Sequence, residues 1–217
     1  MQELLFQQFH TIAILGGTFN PVHVGHIEMA KQVLKQYPDI EHLFLMPNHL
    51  PAYKEDDELV SKQDRLAMLS LAVSGMERVS VSSFEIVQDG YTYTANTLRQ
   101  IREQNKDLTI YFIIGDDSLF SFHKWYQYEE VMKLCNILVI AREEGTENVR
   151  QCIEHYNARY PYAEFAYVEM PKVPVSSSEI RRCCQNGEDI DGKVPEPVRD
   201  YIEKHQLYKK AKGCVDL

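Results

Sequence analysis

The sequence predicts a doubly wound α/β domain, a mostly parallel sheet with helices on both faces. Two observations carry this. Short apolar runs alternate along the chain with stretches of helical apolar spacing, which implies right-handed strand–helix–strand crossovers. The chain also shows no internal repeat, low-complexity tract or linker, so a single domain over residues 1–217 is expected.

The elements follow in order. Thr11–Leu15 is an apolar run ending in Gly16-Gly17, and Val24–Tyr37 follows with Ile27, Ala30 and Leu34 at helical spacing. The start therefore reads as strand, glycine turn, helix. A strand around His42–Met46 and a helix around Lys62–Ser74 repeat the pattern. Next come a short strand near Val79–Ser82, a helix near Tyr93–Glu103 and a strand at Leu108–Ile114. A helix around Tyr126–Leu134, a strand at Asn136–Ala141, a helix near Glu147–Arg159 and a strand near Phe165–Val168 continue it. Helices near Ser177–Cys184 and Pro197–His205 finish the fold. The longest irregular stretch, Pro47–Val60, is charged and suits a loop over a site. In such sheets ligands lie at the carboxyl ends of the strands, near the switch in strand order. The turns after Leu15, Met46, Ile114 and Val168 are therefore where chemistry is expected.

Composition narrows the partners. With 44% hydrophobic and 25% charged residues the chain has ordinary globular character, and no stretch approaches the roughly 18–20 continuous apolar residues of a bilayer span. Met1–His10 reads as polar, without the apolar core of a signal peptide. Five cysteines with no C-x-x-C pair read as reduced thiols, so a soluble cytoplasmic protein is expected. A net charge of −9 argues against a nucleic-acid partner, and an anionic ligand would need its positive charges gathered locally. The sequence is compatible with a homo-oligomer and does not select one.

The segment from Gly16 to His26 reads Gly-Gly-Thr-Phe-Asn-Pro-Val-His-Val-Gly-His. Glycines after a strand let backbone amides approach an anion, and a helix N-terminus adds unsatisfied donors and the positive end of a dipole. His23 and His26, three residues apart, share one face, and Gly25 between them is expected to leave room for a ligand. The segment is neither a Walker A loop nor a G-x-G-x-x-G fingerprint. A second block, Val175 to Arg182, offers Ser176 and Glu179 as a capping box, which starts a helix with Arg181 one turn in. It makes a second anion seat. No carboxylate cluster has the spacing of a dedicated two-metal site.

The first block resembles the G-G-T-F-D-P-x-H-x-G-H signature of the nucleotidyltransferase α/β-phosphodiesterase superfamily, with Asn20 where aspartate is usual. Val175–Arg182 is similar to that superfamily's I-S-S-T-x-I-R motif, with Ser178 for threonine. Three further segments resemble the nicotinate-mononucleotide adenylyltransferase branch: Met46–Lys54, Tyr91–Leu98, and Ile114–Leu119 followed by Phe122 and Trp125-Tyr126. The match runs from about Ile12 to Tyr208. The resemblance implies a Rossmann-like nucleotidyltransferase fold and adenylyl transfer from ATP to nicotinate mononucleotide, with Mg²⁺ held mainly by ATP phosphates. It implies His23 and His26 as catalytic residues. Gly16, Gly17, Thr18, Phe19, Gly25, Ser177, Ser178 and Arg181 would then bind ATP, and Lys54, Thr94, Asp117, Trp125 and Tyr126 the acceptor.

Two other readings compete. A phosphopantetheine adenylyltransferase of the same superfamily typically carries threonine at the first histidine and lacks the tryptophan block, so His23 and Trp125 count against it. A catalytically silent nucleotide-binding sensor would need the same phosphate seat, but it would not need both histidines, Lys54 and Arg181.

Overall fold

Along each central strand the buried side chains alternate between two apolar clusters, as a period of two across a sheet covered on both faces requires. In the computed structural model, which describes residues 5–51, 59–88, 90–141 and 146–209, Ala13, Leu15, Leu43, Leu45 and Ile113 face one cluster. Ile12, Ile14, Phe44, Met46 and Phe112 face the other. The strands are β1 (Thr11–Gly17), β2 (His42–Pro47), β4 (Val79–Val81), β6 (Thr109–Gly115), β7 (Asn136–Ile140) and β8 (Phe165–Val168). They form one parallel sheet in the order β4-β2-β1-β6-β7-β8. The chain thus builds outward from β1 in one direction, then crosses back and builds outward the other way. The switch falls between β1 and β6.

Helices α1 (Val24–Gln36), α2 (Lys62–Ala72), α7 (Ser177–Asn186) and α8 (Glu196–Lys204) supply Ile27, Met68, Ile180 and Val198 to the first cluster. Helices α3 (Thr94–Gln104), α4 (Asp116–Ser121), α5 (Tyr128–Leu134) and α6 (Thr146–Arg159) supply Leu98, Leu119, Val131 and Val149 to the second. The doubly wound class expected from the alternation is the observed one. No helix among the described residues is long and apolar enough to cross a membrane.

Four elements differ from expectation. Leu50–Pro51 (β3) and Tyr91–Thr92 (β5) pair as a two-residue parallel ladder, too short to show any period. Helix α4, directly after β6, is six residues long and buries Leu119 while leaving Phe120 exposed. Expected from Tyr126, α5 begins at Tyr128, because Phe122–Lys124 forms a 3-10 turn, Trp125 is extended and Gln127 takes a left-handed conformation with φ 50°.

The amino-terminal segment is not the polar tail its composition suggests. Phe6 is fully buried, edge-on to Phe44 and Phe84 at 5.4 and 5.5 Å, and the Asn105 side-chain amide donates to the carbonyls of Phe6 and Phe9. The segment plugs the cluster under α3. Phe6→Ala is expected to destabilise the protein by about 3–5 kcal/mol, the usual cost of a phenylalanine-sized cavity, read as a lower midpoint in urea unfolding. An unchanged midpoint would show that residues 5–10 lie on the fold without supporting it.

Candidate active site

The site is built at the switch point, where the turn after β1 faces the turn after β6. Neither Gly16 nor Gly17 is in the left-handed region; their lack of a side chain is used by aromatic rings. A Cβ on Gly16 would sit 3.0 Å from the Phe112 ring, and one on Gly17 3.2 Å from the ring of Phe19. Phe19 itself takes φ 50° and is buried, so its ring folds back beneath the turn. Asn48 N–H donates to the Gly17 carbonyl at 3.0 Å, tying the turn to the end of β2.

His23 is the N-cap of α1 and His26 its third residue. The His26 Nδ1 accepts from the His23 backbone N–H at 3.2 Å, so the proton of a neutral His26 ring lies on Nε2. The two imidazoles stack with centroids 3.7 Å apart and planes at 27°, and Phe19 packs edge-on against His26 at 4.9 Å. The pair is unequal: His23 is only 4% exposed, while His26 is half-buried and reaches the surface of the site.

Two expectations are corrected here. Gly25 does not make room for a ligand: a Cβ there would lie 3.0 Å from the His23 ring and 3.3 Å from Val175, so the space it leaves is filled by His23. The start of α1 also keeps fewer open donors than a bare helix end would. Val24 N–H is taken by the Lys193 carbonyl at 3.1 Å and His26 N–H by the His23 carbonyl at 3.0 Å.

The block at the start of α7 lies against the same turn. Ser177 Oγ donates to the Pro21 carbonyl at 2.8 Å, and Arg181 Nη1 donates to the Asn20 carbonyl at 2.9 Å. Its Nη2 lies 3.5 Å from Ser178 Oγ. Ser176 caps the helix by accepting from Glu179 N–H at 3.2 Å. The expected reciprocal half of the capping box is replaced, because Glu179 Oε1 instead accepts from Lys193 Nζ at 2.6 Å, which holds its carboxyl below the usual range. Asn20 is more than a turn residue: its Oδ1 accepts from Tyr208 Oη at 2.9 Å and Val60 N–H at 3.4 Å, which roots the turn in the carboxyl-terminal segment.

Across the switch point lie the residues expected for an acceptor. Trp125 is half-buried, edge-on to Phe112 at 6.2 Å and tilted against Phe122 at 5.1 Å, so one ring separates it from Gly16. Tyr126 is exposed and packs on Tyr93 at 4.8 Å. Thr94 opens α3 and the exposed Asp117 lies in the first turn of α4. Helices α3, α4 and α5 all start without a side-chain cap, whereas α2 and α7 are capped by Ser61 and Ser176. Lys54 lies outside the described residues.

Two buried groups escaped the sequence reading. Glu85 is pushed up to about 7 by burial and accepts from Thr97 Oγ1 at 2.6 Å, which anchors the first turns of α3. Arg65, 1% exposed, donates from Nη1 to the Thr18 and Asn48 carbonyls at 3.0 and 2.8 Å, and from Nη2 to the His49 carbonyl at 3.1 Å. A signal for Arg65 existed. It occupies the first place of the buried stripe Arg65, Met68, Leu69, Ala72, where an arginine on an apolar helical face asks for buried acceptors. Among the described residues no group of three or more histidine, cysteine, aspartate or glutamate side chains could hold a metal ion.

These features define a doubly wound α/β protein with glycines, histidines and an arginine gathered at its strand ends. Residues 14–183 match the family described as cytidylyltransferase-like. A probable nicotinate-nucleotide adenylyltransferase of Lachnoclostridium phytofermentans is 37% identical over 198 residues, covering 91% of this chain and 98% of the relative. One of a Synechococcus species is 40% identical over 197 residues, covering 91% and 96%. The chain therefore belongs to the cytidylyltransferase-like family, in the branch of the nicotinate-nucleotide adenylyltransferases. The solved structure of Plasmodium falciparum nicotinic acid mononucleotide adenylyltransferase complexed with NaAD shares the fold: its TM-score is 0.74 at 21% identity, covering 92% of this chain and 98% of that one.

Proposed function

We propose that this chain transfers the adenylyl group of ATP to nicotinate mononucleotide, giving nicotinate adenine dinucleotide and pyrophosphate, a step of NAD biosynthesis. The observation that carries the reading is the union of the two expected anion seats, since Ser177 and Arg181 bond to the carbonyls of Pro21 and Asn20. Relatives that bear this activity in their names cover nearly the whole chain.

The reaction needs no covalent enzyme nucleophile. A phosphate oxygen of the mononucleotide attacks the α-phosphorus of ATP, an O–P bond forms in line, and the bond to the pyrophosphate oxygen breaks. Catalysis is then positioning plus stabilisation of charge moving onto the leaving group. His26 supplies an Nε2–H donor to the phosphates, with His23 stacked behind it to fix the ring. Gly16 to Phe19 line the triphosphate, while Ser177, Ser178 and Arg181 hold its far end. Thr94, Asp117, Trp125 and Tyr126 serve the acceptor, with Lys54 reaching its phosphate. Mg²⁺, when bound, neutralises phosphate oxygens. A divalent ion that takes its ligands chiefly from substrate oxygens and water fits a site whose described residues offer no carboxylate cage. The free thiols Cys135, Cys152, Cys183 and Cys184 suit a reducing, cytoplasmic setting.

The test is pyrophosphate release from ATP with nicotinate mononucleotide, nicotinamide mononucleotide and phosphopantetheine offered side by side. Turnover with the first is expected. Turnover with phosphopantetheine alone would reassign the acceptor, and ATP binding without turnover on any would favour a sensor.

Gly25 gives a sharper check of the histidine geometry. Gly25→Ala is expected to lower kcat by roughly tenfold to a hundredfold, because the added methyl displaces the His23 ring and, through the stack, His26. A folded variant with wild-type kcat would show that the ring positions are not critical.

A further inference from the structure

We propose that Arg65 is a positioning residue of the active site: its guanidinium fork holds the turn after β1 and the loop after β2 in one register, so that the two substrates meet in line. This rests on the adenylyl-transfer reading given above.

The geometry is that of a clamp. One nitrogen, Nη1, donates to both the Thr18 carbonyl in the glycine turn and the Asn48 carbonyl at the end of β2. The other, Nη2, donates to His49, from which the chain enters β3. The Asn48 amide closes the ring by donating to Gly17. Two segments that lie on the ATP side and the acceptor side of the proposed site thus hang from one planar group. The paired register of β1 and β2 ends at Gly17 and Pro47, and past the one main-chain bond from Asn48 to Gly17 the Arg65 bonds, with Asn48 Nδ2 3.5 Å from Thr18 Oγ1, carry the registration.

The chemistry of the group is unusual for a structural arginine. No carboxylate among the described residues forms an ion pair with it, and its neighbour Asp64 is occupied by Ser61 and Tyr201. Burial disfavours its charge, yet guanidinium stays protonated in proteins, so the cost is offset chiefly by its carbonyl acceptors. An apolar side chain in the stripe with Met68, Leu69 and Ala72 would avoid that cost. What arginine adds is direction: a rigid fork with donors at set angles, which lysine lacks.

The measurement is kcat and KM for ATP and nicotinate mononucleotide in R65K and R65M, with ATP Kd by calorimetry and thermal unfolding of each. Assays are run well below the lowest unfolding temperature. For R65K, which keeps the charge and loses the fork, we expect kcat to fall roughly tenfold to a hundredfold while the ATP Kd changes less than about threefold. R65M is expected to fall at least as far. If R65K folds and keeps wild-type kcat, or if its loss appears in KM for ATP alone, the positioning role is wrong. If neither variant folds, Arg65 serves the fold only and the proposal falls. A wild-type protein inactive toward every acceptor would instead indict the adenylyl-transfer reading, independently of the variants.

Discussion

His26→Ala is expected to lose roughly 10² to 10³ in kcat while unfolding at nearly the wild-type temperature. The size follows from removing one preorganised donor aimed at charge that develops on the leaving phosphates. The preorganisation is visible. The ring is held at Nδ1 by the His23 amide, on its face by the His23 imidazole and on its edge side by Phe19, so no side-chain entropy is lost when the transition state forms. His26 is half-buried, and its loss opens no core cavity. Steady-state pyrophosphate release and a thermal melt decide the matter together. Wild-type turnover in a folded His26→Ala protein would falsify its role, and His26→Gln is expected to recover part of the loss if donation matters more than charge.

The second large effect is discrimination between acid and amide acceptors. Nicotinate mononucleotide is expected to be favoured over nicotinamide mononucleotide by roughly three powers of ten in kcat/KM. In α4 the Asp117 amide is already taken by Asp116 Oδ1 at 3.0 Å, whereas helices α3 and α5 begin at this end of the site without a side-chain cap. Such starts favour a carboxylate and leave a donor unmatched when an NH₂ group replaces one oxygen. Trp125 offers a flat face for an electron-poor ring. It also packs on Phe112 and Phe122, so Trp125→Ala carries a modest stability cost alongside weaker acceptor binding. Acceptor KM should rise with ATP KM little changed. Equal use of acid and amide, or a folded Trp125→Ala enzyme with an unaltered acceptor KM, would overturn this pocket.

Much of the fold was legible before any coordinates, and the reason is local. Strand and helix periods at Thr11–Leu15, Val24–Tyr37 and Asn136–Ala141 are properties of neighbouring residues, and the cap at Ser176 needs only the next three. The His-x-Gly-His spacing after a glycine turn put the two histidines at the start of α1, beyond the carboxyl end of β1, for the same reason. Short elements did not announce themselves: β3, β5 and α4 are too brief for a period to emerge.

By itself, then, the sequence determined the alternation of strands and helices, the two glycine- and serine-led turns, and the family in which both occur. Only the tertiary structure decided how they meet. It places Ser177 and Arg181, some 156 and 161 residues along the chain, on the carbonyls of Pro21 and Asn20. It gives Gly25 to the His23 ring, buries Phe6 beneath α3, and sets Arg65 between Thr18, Asn48 and His49. Apart from the fit of Gly25 to its neighbour His23, each of these depends on a backbone carbonyl or a ring from a distant segment, and no local pattern encodes which distant group will stand beside it.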